Sequence, residues 1–294
     1  ALFACWTDRP EVVYLQDGVM APIGRLIQRL ARVPTTLTVH GLEVTFRNRI
    51  YRKAVLPAIA RQTTLIAVST ATAEAVRAAT GRDDATVIAN GVADVHYGAG
   101  ASELPADLAH LSARPLLYTS GRLVDRKGVV WFIEHVLPLV VDRVPRVAYV
   151  VSGSGDQADQ VAALAAQSDH VEYLGRVSDA TRDALYRAAN LFVMPNQPVP
   201  GDMEGFGLVA VEAASCGTPV VASDLEGIKD AVRDGVTGFL VDPADPAGFA
   251  DRVATELLEP SLSGPEVRAR VVADYSWAAA AQRYSDLFAS TSLG

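Results

Sequence analysis

The sequence is poor in cysteine and histidine. Only Cys5 and Cys216 occur among 294 residues, which excludes a disulfide framework and is typical of buried thiols in a reducing compartment. No Asp-x-Asp pair follows a predicted strand, and the five histidines lack metal-ligand spacing: His40, His96, His110, His135 and His170. We therefore expect a cytoplasmic protein with no cofactor and no obligatory metal.

Long apolar runs are also missing. No stretch of eighteen consecutive apolar residues occurs, so no transmembrane helix is expected. The chain opens with Ala1, and no signal-peptide pattern follows. Half of the residues are hydrophobic and 20% are charged, a composition typical of a soluble globular protein. The length favours two domains of ordinary size.

The net charge of −8 is unevenly distributed. Between residues 20 and 62 the single acidic residue is Glu43, whereas eight are basic: Arg25, Arg29, Arg32, Arg47, Arg49, Arg52, Lys53 and Arg61. A basic region on an acidic protein indicates a polyanionic partner, such as an anionic membrane surface or a phosphorylated acceptor. A nucleic-acid partner is not expected.

A helix predicted over residues 21–33 lies within this basic region. Its apolar residues fall at helical spacing on one face, which we expect to join the core: Ile23, Leu26, Ile27 and Leu30. Arg25, Arg29 and Arg32 lie on another face. Two interpretations stay open, an ordinary surface helix or a peripheral docking surface for anionic lipid at the inner membrane face.

Short β-branched runs alternate with helical stretches along the chain. Strands are predicted at 12–15, 35–39, 64–68 and 86–88, then at 116–119, 147–151, 171–174, 191–194, 219–222 and 238–241. Helices are predicted at 22–32, 48–60 and 71–79. This alternation predicts an α/β protein with two doubly wound parallel-sheet domains.

A stretch without strand pattern separates the two halves, between Gly98 and Pro115. We expect an amino-terminal domain over 1–104, a linker over 105–114, a second domain over 115–275 and a carboxyl-terminal helix within 276–294 that could join either domain. Ligands of such sheets bind beyond the carboxyl ends of the strands. The cleft between two facing domains is therefore the expected active site.

The segment 204–212 (EGFGLVAVE) leads from the strand at 191–194 into a helix. Gly205 and Gly207 at the helix start let the backbone approach a ligand, and free amides there hold phosphate oxygens. Glu204 precedes the helix and Glu212 lies within it. The pair suits a sugar and the ribose of one nucleotide-sugar, although a capping acid and an exposed helix acid would have the same spacing.

The segment 121–128 (GRLVDRKG) follows the strand at 116–119. Arg122 and Lys127 in such a loop can neutralise a diphosphate, because a guanidinium fork and an ammonium both suit phosphate. A solvated basic loop is the alternative. His40 also ends a strand, where it either faces the cleft or serves the local backbone.

A dinucleotide-like pattern at 153–158 (GSGDQA) follows a strand, with Glu172 near the acidic position that such a motif needs. It lies in the middle of the chain and leaves both the Arg122/Lys127 and the Glu204/Glu212 pairs unexplained. A nicotinamide enzyme is therefore disfavoured.

These segments, together with 173–177 (YLGRV), occur in an order that resembles the family-four retaining glycosyltransferases of the GT-B fold. The match covers nearly all of 115–258, and 38–41, 67–69 and 87–92 resemble the later part of the family's first domain. The resemblance implies transfer of a hexose from a UDP-, GDP- or ADP-sugar to a glycan or lipid-linked acceptor, with retention of anomeric configuration.

The resemblance also implies residue roles. Arg122 and Lys127 bind the diphosphate, Glu212 binds the ribose, and Glu204 and His40 contact the transferred sugar. The remaining donor contacts are Gly121, Gly153, Arg176, Val177 and the segment of Gly205, Phe206, Gly207 and Leu208.

One departure from the family pattern concerns the start of the chain. The family's first domain opens with a strand and a Gly-rich loop, whereas residues 1–17 resemble the middle of that domain. We therefore expect an incomplete first domain. Three alternatives stay open: a non-catalytic nucleotide-sugar-binding remnant, a GT-B epimerase, or a phosphorylase that uses pyridoxal phosphate.

Overall fold

The structure is a computed structural model that describes residues 2–93 and 103–292. Gly98 and Gly100, where the predicted break begins, lie outside the described residues. The chain forms two compact units. Unit 1 comprises Ala1–Gly91, Pro200–Phe206 and Trp277–Gly294, and unit 2 comprises Val92–Val199 and Gly207–Ser276. The units thus depart from chain order, because a short internal segment and the last helix belong with the amino-terminal part.

Unit 1 is built on a parallel sheet in the order β1-β2-β3-β4. Its strands are β1 (Val13–Leu15), β2 (Thr35–Val39), β3 (Thr64–Ala67) and β4 (Thr86–Val87). Its helices are α1 (Leu2–Asp8), α2 (Ala21–Leu30), α3 (Leu42–Thr45), α4 (Arg49–Ala54), α5 (Leu56–Ile59), α6 (Thr70–Thr80) and α15 (Trp277–Ser292). Every residue of β2 is buried, as expected for a central parallel strand.

The helix predicted over 48–60 is two short helices in the structure, α4 and α5. Asn48 caps α4 by accepting hydrogen bonds from the amides of Ile50 and Tyr51. Pro57 lies in the first turn of α5, where its missing N–H costs nothing. Proline cannot continue the preceding helix without losing a hydrogen bond, so a new helix starts there.

Helix α2 buries a different face from the one that its sequence predicts. Its buried residues are Ala21, Gly24 and Ile27. A Cβ on Gly24 would overlap the side chains of Leu15 and Gln62, so close approach of the helix backbone requires glycine. The prediction that the whole apolar set faces the core is wrong for three members, which are 42%, 45% and 54% exposed: Ile23, Leu26 and Leu30.

Unit 2 contains a larger parallel sheet in the order β10-β9-β8-β5-β6-β7. Its strands are β5 (Leu116–Arg122), β6 (Ala148–Ser154), β7 (Val171–Tyr173), β8 (Leu191–Met194), β9 (Val220–Ser223) and β10 (Gly238–Val241). Its helices are α7 (Val129–Trp131), α8 (Leu137–Arg143), α9 (Ala158–Ala165), α10 (Asp179–Ala188), α11 (Leu208–Ser215), α12 (Ile228–Ala231), α13 (Pro246–Leu258) and α14 (Gly264–Tyr275). A 3-10 helix, Ala106–Ala113, occupies most of the predicted linker.

Aromatic side chains fill the centre of unit 2. Phe132 lies 4.8 Å from Tyr149 and 5.9 Å from Phe249, measured between ring centroids. Each predicted strand appears within a few residues of its expected bounds, and two parallel-sheet α/β units result. The predicted fold class is confirmed.

The strand order of unit 2 reverses at β5. The chain proceeds from β5 through β6 to β7 in one direction, then returns to place β8 on the other side of β5. Such a reversal leaves a crevice beyond the carboxyl ends of the two strands. The fold therefore places a candidate ligand site at the ends of β5 and β8.

A helix that spans a bilayer must be both long and apolar. Among the helices within residues 2–93 and 103–292, none meets both requirements.

Candidate functional site

The ends of β5 and β6 approach each other closely through two glycines. Gly121 pairs with Gly153 across the two strands, and their φ angles are 146° and 133°. A Cβ on Gly153 would overlap the carbonyl oxygen of Gly121. Only glycine fits this contact and this backbone conformation, which leaves the backbone at the strand ends open to a ligand.

The three basic side chains of the loop after β5 differ in their exposure to solvent. Arg122 is exposed, Lys127 is half-buried, and Arg126 is only 3% exposed. The carbonyl of Arg126 accepts a hydrogen bond from the amide of Gln197 at 2.8 Å. Arg126 therefore belongs to the scaffold of the loop, whereas Arg122 and Lys127 present charge at its surface.

This loop lies against the end of β8. Gly128 ends the turn Asp125–Lys127 with a φ of 64°, and a Cβ there would overlap the carbonyl oxygen of Pro195. A small pocket opens at this place, with an accessible volume of about 10 Å³. Its lining includes Gly121, Arg122, Lys127, Met194, Pro195 and Val209. The two cations thus line the crevice that the strand order predicts.

Helix α11 begins at the same pocket. Its N-cap, Gly207, has a φ of 89°, and no described side chain caps the helix. The amides of Leu208 and Val209 stand at the helix start, where unsatisfied N–H groups and the helix dipole favour an anion. Two cations and a helix start therefore supply the groups that a phosphate chain requires.

Glu212 lies one turn further along α11 and is held by Tyr186 of α10. The hydroxyl of Tyr186 donates a hydrogen bond to Oε2 of Glu212 at 3.0 Å. Burial raises the pKa of Tyr186 well above its ordinary value, and the negative charge of Glu212 raises it further. Tyr186 thus stays a neutral donor and fixes the carboxylate in one orientation.

The loop after β7 carries Arg176 and Val177 and lies beside the Gly153 turn. The amide of Gly153 donates to the carbonyl of Gly175 at 2.7 Å, and the hydroxyl of Tyr173 donates to the carbonyl of Gly153 at 3.0 Å. Arg176 is exposed and Val177 is half-buried. The structure therefore joins the predicted loops after β5, β6 and β7 at one edge of the sheet.

In unit 1, His40 follows β2 at the carboxyl edge of the sheet. Its Nε2 donates to the carbonyl of Gln16 at 2.9 Å, which leaves Nδ1 as the acceptor of the neutral ring. The buried carboxylate of Glu43 accepts the amides of His40, at 3.0 Å, and of Gly18, at 3.3 Å. Hydrogen bonds therefore hold both the imidazole ring and the backbone amide of His40.

The segment Pro200–Phe206, which carries Glu204 and Gly205, also belongs to unit 1. A Cβ on Gly205 would overlap the carbonyl oxygen of His40. The carbonyl of Gly205 accepts a hydrogen bond from Thr72 at 3.2 Å. Glu204 is half-buried and Phe206 is 3% exposed. The structure therefore brings the Glu204 segment to the backbone of His40.

Several contributing residues were missed from the sequence. Three residues on other elements form hydrogen bonds with predicted site residues: Gln16 and Glu43 with His40, and Tyr186 with Glu212. No sequence motif surrounds these three residues. A further pocket in unit 1, at the carboxyl edge of its sheet, was also missed; it is lined by His40, Asn90 and four aromatic residues: Tyr14, Trp277, Tyr284 and Phe288. The helical spacing of the last three is the signal that could have pointed to this pocket.

In the described part of the chain, no group of three or more His, Cys, Asp or Glu side chains could hold a metal ion. The expectation that no metal is obligatory stays a prediction.

Comparison with known proteins adds to this geometry. Residues 114–259 match the family model described as glycosyl transferases group 1, and residues 2–94 match the model described as glycosyltransferase family 4. A phosphatidyl-myo-inositol mannosyltransferase of Mycobacterium tuberculosis is 33% identical over 280 residues, which cover 93% of this chain and 70% of the relative.

Solved structures have the same fold. HepE from Anabaena, crystallised in complex with UDP, has a TM-score of 0.80 at 21% identity, with 98% of this chain and 80% of that chain covered. Sucrose-phosphate synthase from Thermosynechococcus elongatus has a TM-score of 0.77 at 24% identity, with 98% and 76% covered.

Two parallel-sheet units, one with a cationic crevice at its strand reversal, define the class as a GT-B glycosyltransferase. The chain belongs to glycosyltransferase family 4. The resemblance drawn from the sequence motifs is thereby confirmed.

Proposed function

We propose that this protein transfers a hexose from a nucleotide diphosphate sugar to an acceptor, with retention of anomeric configuration. The observation that carries the proposal is the crevice beyond β5 and β8, lined by Arg122 and Lys127 beside the start of α11. A mannosyltransferase relative and a structural neighbour crystallised with UDP support it.

The cations act on the leaving group. Arg122 and Lys127 neutralise the charge that develops on the nucleoside diphosphate as the glycosidic bond breaks, and the amides of Phe206, Gly207 and Leu208 add hydrogen bonds. This arrangement needs no metal. Transfer is therefore expected to be unchanged when a chelator is added.

Other residues hold the donor in place. Glu212, oriented by Tyr186, accepts hydrogen bonds from the ribose hydroxyls. Arg176 and Val177 contact the base, and the open backbone at Gly121 and Gly153 lies along the donor.

Glu204 and His40 act on the transferred sugar. Attack on the face from which the leaving group departs gives retention without a covalent bond to the protein. Glu204 therefore positions and stabilises the sugar, and Nδ1 of His40 accepts a hydrogen bond from one of its hydroxyls.

A panel of UDP-, GDP- and ADP-hexoses tests the donor class. We expect one nucleotide to bind at micromolar concentration in calorimetry, and the product to keep the anomeric configuration of the donor when analysed by NMR. Inversion would contradict the mechanism. Binding without turnover would indicate a nucleotide-sugar-binding protein, and conversion of the donor without acceptor would indicate an epimerase.

The acceptor is proposed to be a glycan or a lipid-linked molecule, reached by a protein that works peripherally at the inner face of the cytoplasmic membrane. Helix α2 supports the peripheral position, because Ile23, Leu26 and Leu30 are exposed beside Arg25 and Arg29. Exposed apolar side chains among arginines suit the interface of an anionic bilayer.

Vesicle sedimentation tests this position. Binding should need anionic lipid, weaken as salt increases and weaken again when Arg25, Arg29 and Arg32 become Gln. Equal sedimentation with neutral and anionic vesicles would rule the membrane out and leave a soluble acceptor.

A further inference from the structure

A second pocket of unit 1 lies at the edge of the sheet opposite His40. Pro34 and Thr63, which line it, directly precede β2 and β3, whereas His40 follows β2. The pocket is open, with an accessible volume of about 630 Å³. Because the strands are parallel, its position at their amino ends separates it from the groups assigned to donor and sugar.

Three arginines from different places in the chain meet in this pocket. Arg25 comes from α2, Arg32 from the turn after α2, and Arg61 from the turn before β3, while Glu11 is the single carboxylate in the lining. Among the described residues none of the three arginines forms an ion pair. Uncompensated like charges repel, so an anion bound between them is stabilising.

A chain of hydrogen bonds fixes the Arg25 guanidinium from the core outward. Buried Gln62 accepts from the hydroxyl of Thr35 at 2.6 Å, and Thr35 accepts from Nε2 of Gln28 at 2.7 Å. Gln28 in turn accepts from Nη1 of Arg25 at 3.1 Å. Nε of Arg25 is buried without a hydrogen-bond partner in the described structure.

The other two arginines are also placed by the backbone. Nη1 of Arg61 donates to the carbonyl of Pro57 at 3.0 Å, and Arg61 is part of the pocket lining. Arg32 has a φ of 58°, a left-handed conformation that few residues with side chains adopt. Such strained backbone conformations occur most often at active sites and ligand-binding sites.

We propose that this pocket binds a phosphate group, carried by a phosphomonoester or diphosphate that is either free in solution or the headgroup of a lipid. Guanidinium forks match phosphate oxygens in geometry and charge, and the hydroxyl of Thr63 adds a hydrogen-bonding group at the pocket wall. The site is additional to the diphosphate site of unit 2 and goes beyond the proposed transfer reaction.

Calorimetry with pyrophosphate tests the pocket on protein whose nucleotide site is first saturated with whichever of UDP, GDP and ADP binds there. We expect one further anion to bind, and Arg25→Gln, Arg32→Gln and Arg61→Gln each to weaken it about tenfold. Arg29→Gln is the matched control. It removes the same charge from the same helix outside this pocket and should change the affinity less than about twofold.

Two results would overturn the proposal. One is the absence of pyrophosphate binding to the nucleotide-saturated protein. The other is an equal loss in Arg29→Gln and in the pocket variants, which would mean diffuse charge attraction. Titration of the same nucleotide into each variant, with circular dichroism to check folding, reports separately on the donor site, because that site contains none of these arginines.

Vesicles distinguish the two sources of phosphate. The ligand is a lipid headgroup if three results are obtained together. Vesicles that contain phosphatidic acid bind the protein, pyrophosphate releases them, and Arg61→Gln weakens their binding. If pyrophosphate binds with the expected pattern and the vesicles do not, the ligand is a soluble phosphate. Both results support the pocket, and failure of pyrophosphate to bind contradicts it whether or not the vesicles bind.

Discussion

The backbone of Gly205 lies so close to the carbonyl oxygen of His40 that a side chain of any size on Gly205 would overlap it. The same segment is tied to Thr72 through the carbonyl of Gly205. Gly205 is therefore required on steric grounds within unit 1. It allows the residue before it, Glu204, to lie beside the strand end that carries His40.

Replacing Gly205 by Ala tests this contact. We expect the added methyl to displace the segment, lower turnover at least about tenfold and reduce the free energy of unfolding by about 1–3 kcal/mol. Gly81→Ala is the control. Gly81 has a φ of 77°, so an alanine there should reduce the free energy of unfolding by about 1–2 kcal/mol, although the added methyl meets no atom within 4 Å. If Gly205→Ala keeps full activity and is no less stable than Gly81→Ala, the contact between Gly205 and His40 has no role in catalysis.

Glu204→Gln tests the role proposed for the sugar contact. The change keeps the size of the side chain and removes its charge, so kcat should fall about ten- to a thousandfold if the carboxylate stabilises developing positive charge. Affinity for the free nucleoside diphosphate should stay within twofold. Unchanged kcat would remove Glu204 from the mechanism.

Tyr186→Phe tests how Glu212 is positioned. Loss of the hydroxyl that donates to Glu212 should weaken nucleotide binding about three- to tenfold and change kcat little, because the ribose contact is made in the ground state. The double variant with Glu212→Gln should be no weaker than Glu212→Gln alone. Additive losses in titrations of the nucleotide would mean that Tyr186 acts independently.

Cys216 gives a prediction on pH. Burial raises the pKa of its thiol from 9.0 to about 11, so the neutral form is the one that folding favours. Its contribution to stability is complete below the pKa of the unfolded thiol and is lost as the pH rises from about 9 to about 11. In a Cys5→Ser background, a thiol reagent at pH 8 should label the native protein about a hundredfold more slowly than the urea-unfolded protein. Equal rates would contradict the burial.

The sequence predicted the sheets well and the side-chain partners poorly. Strands such as β8 and β10 are short apolar runs between turn residues, a local pattern that fixes their type and ends. The buried face of α2 was misjudged because Ala21 and Gly24, two small residues, bring the helix close to the sheet. Hydrophobicity alone ranks such residues below Leu26 or Leu30.

Contacts between distant parts of the chain were also beyond the sequence. The grouping of Gly205 with His40, and of Tyr186 with Glu212, depends on strand order and on the packing of helices, which leave no local pattern. By contrast, the position of Arg122 and Lys127 at the end of β5 could be predicted, because a loop after a parallel strand has a defined place in the fold.

The most direct test of the account is titration of UDP, GDP and ADP into the protein and into Arg122→Ala and Lys127→Ala. We expect one nucleotide to bind, and each variant to bind it about ten- to a hundredfold more weakly, because each loses a charge-assisted hydrogen bond to phosphate. Arg77→Ala, an exposed arginine of α6, should bind it as the unmodified protein does. Unchanged affinity in both loop variants would contradict the diphosphate site at the ends of β5 and β8, and with it the proposed donor.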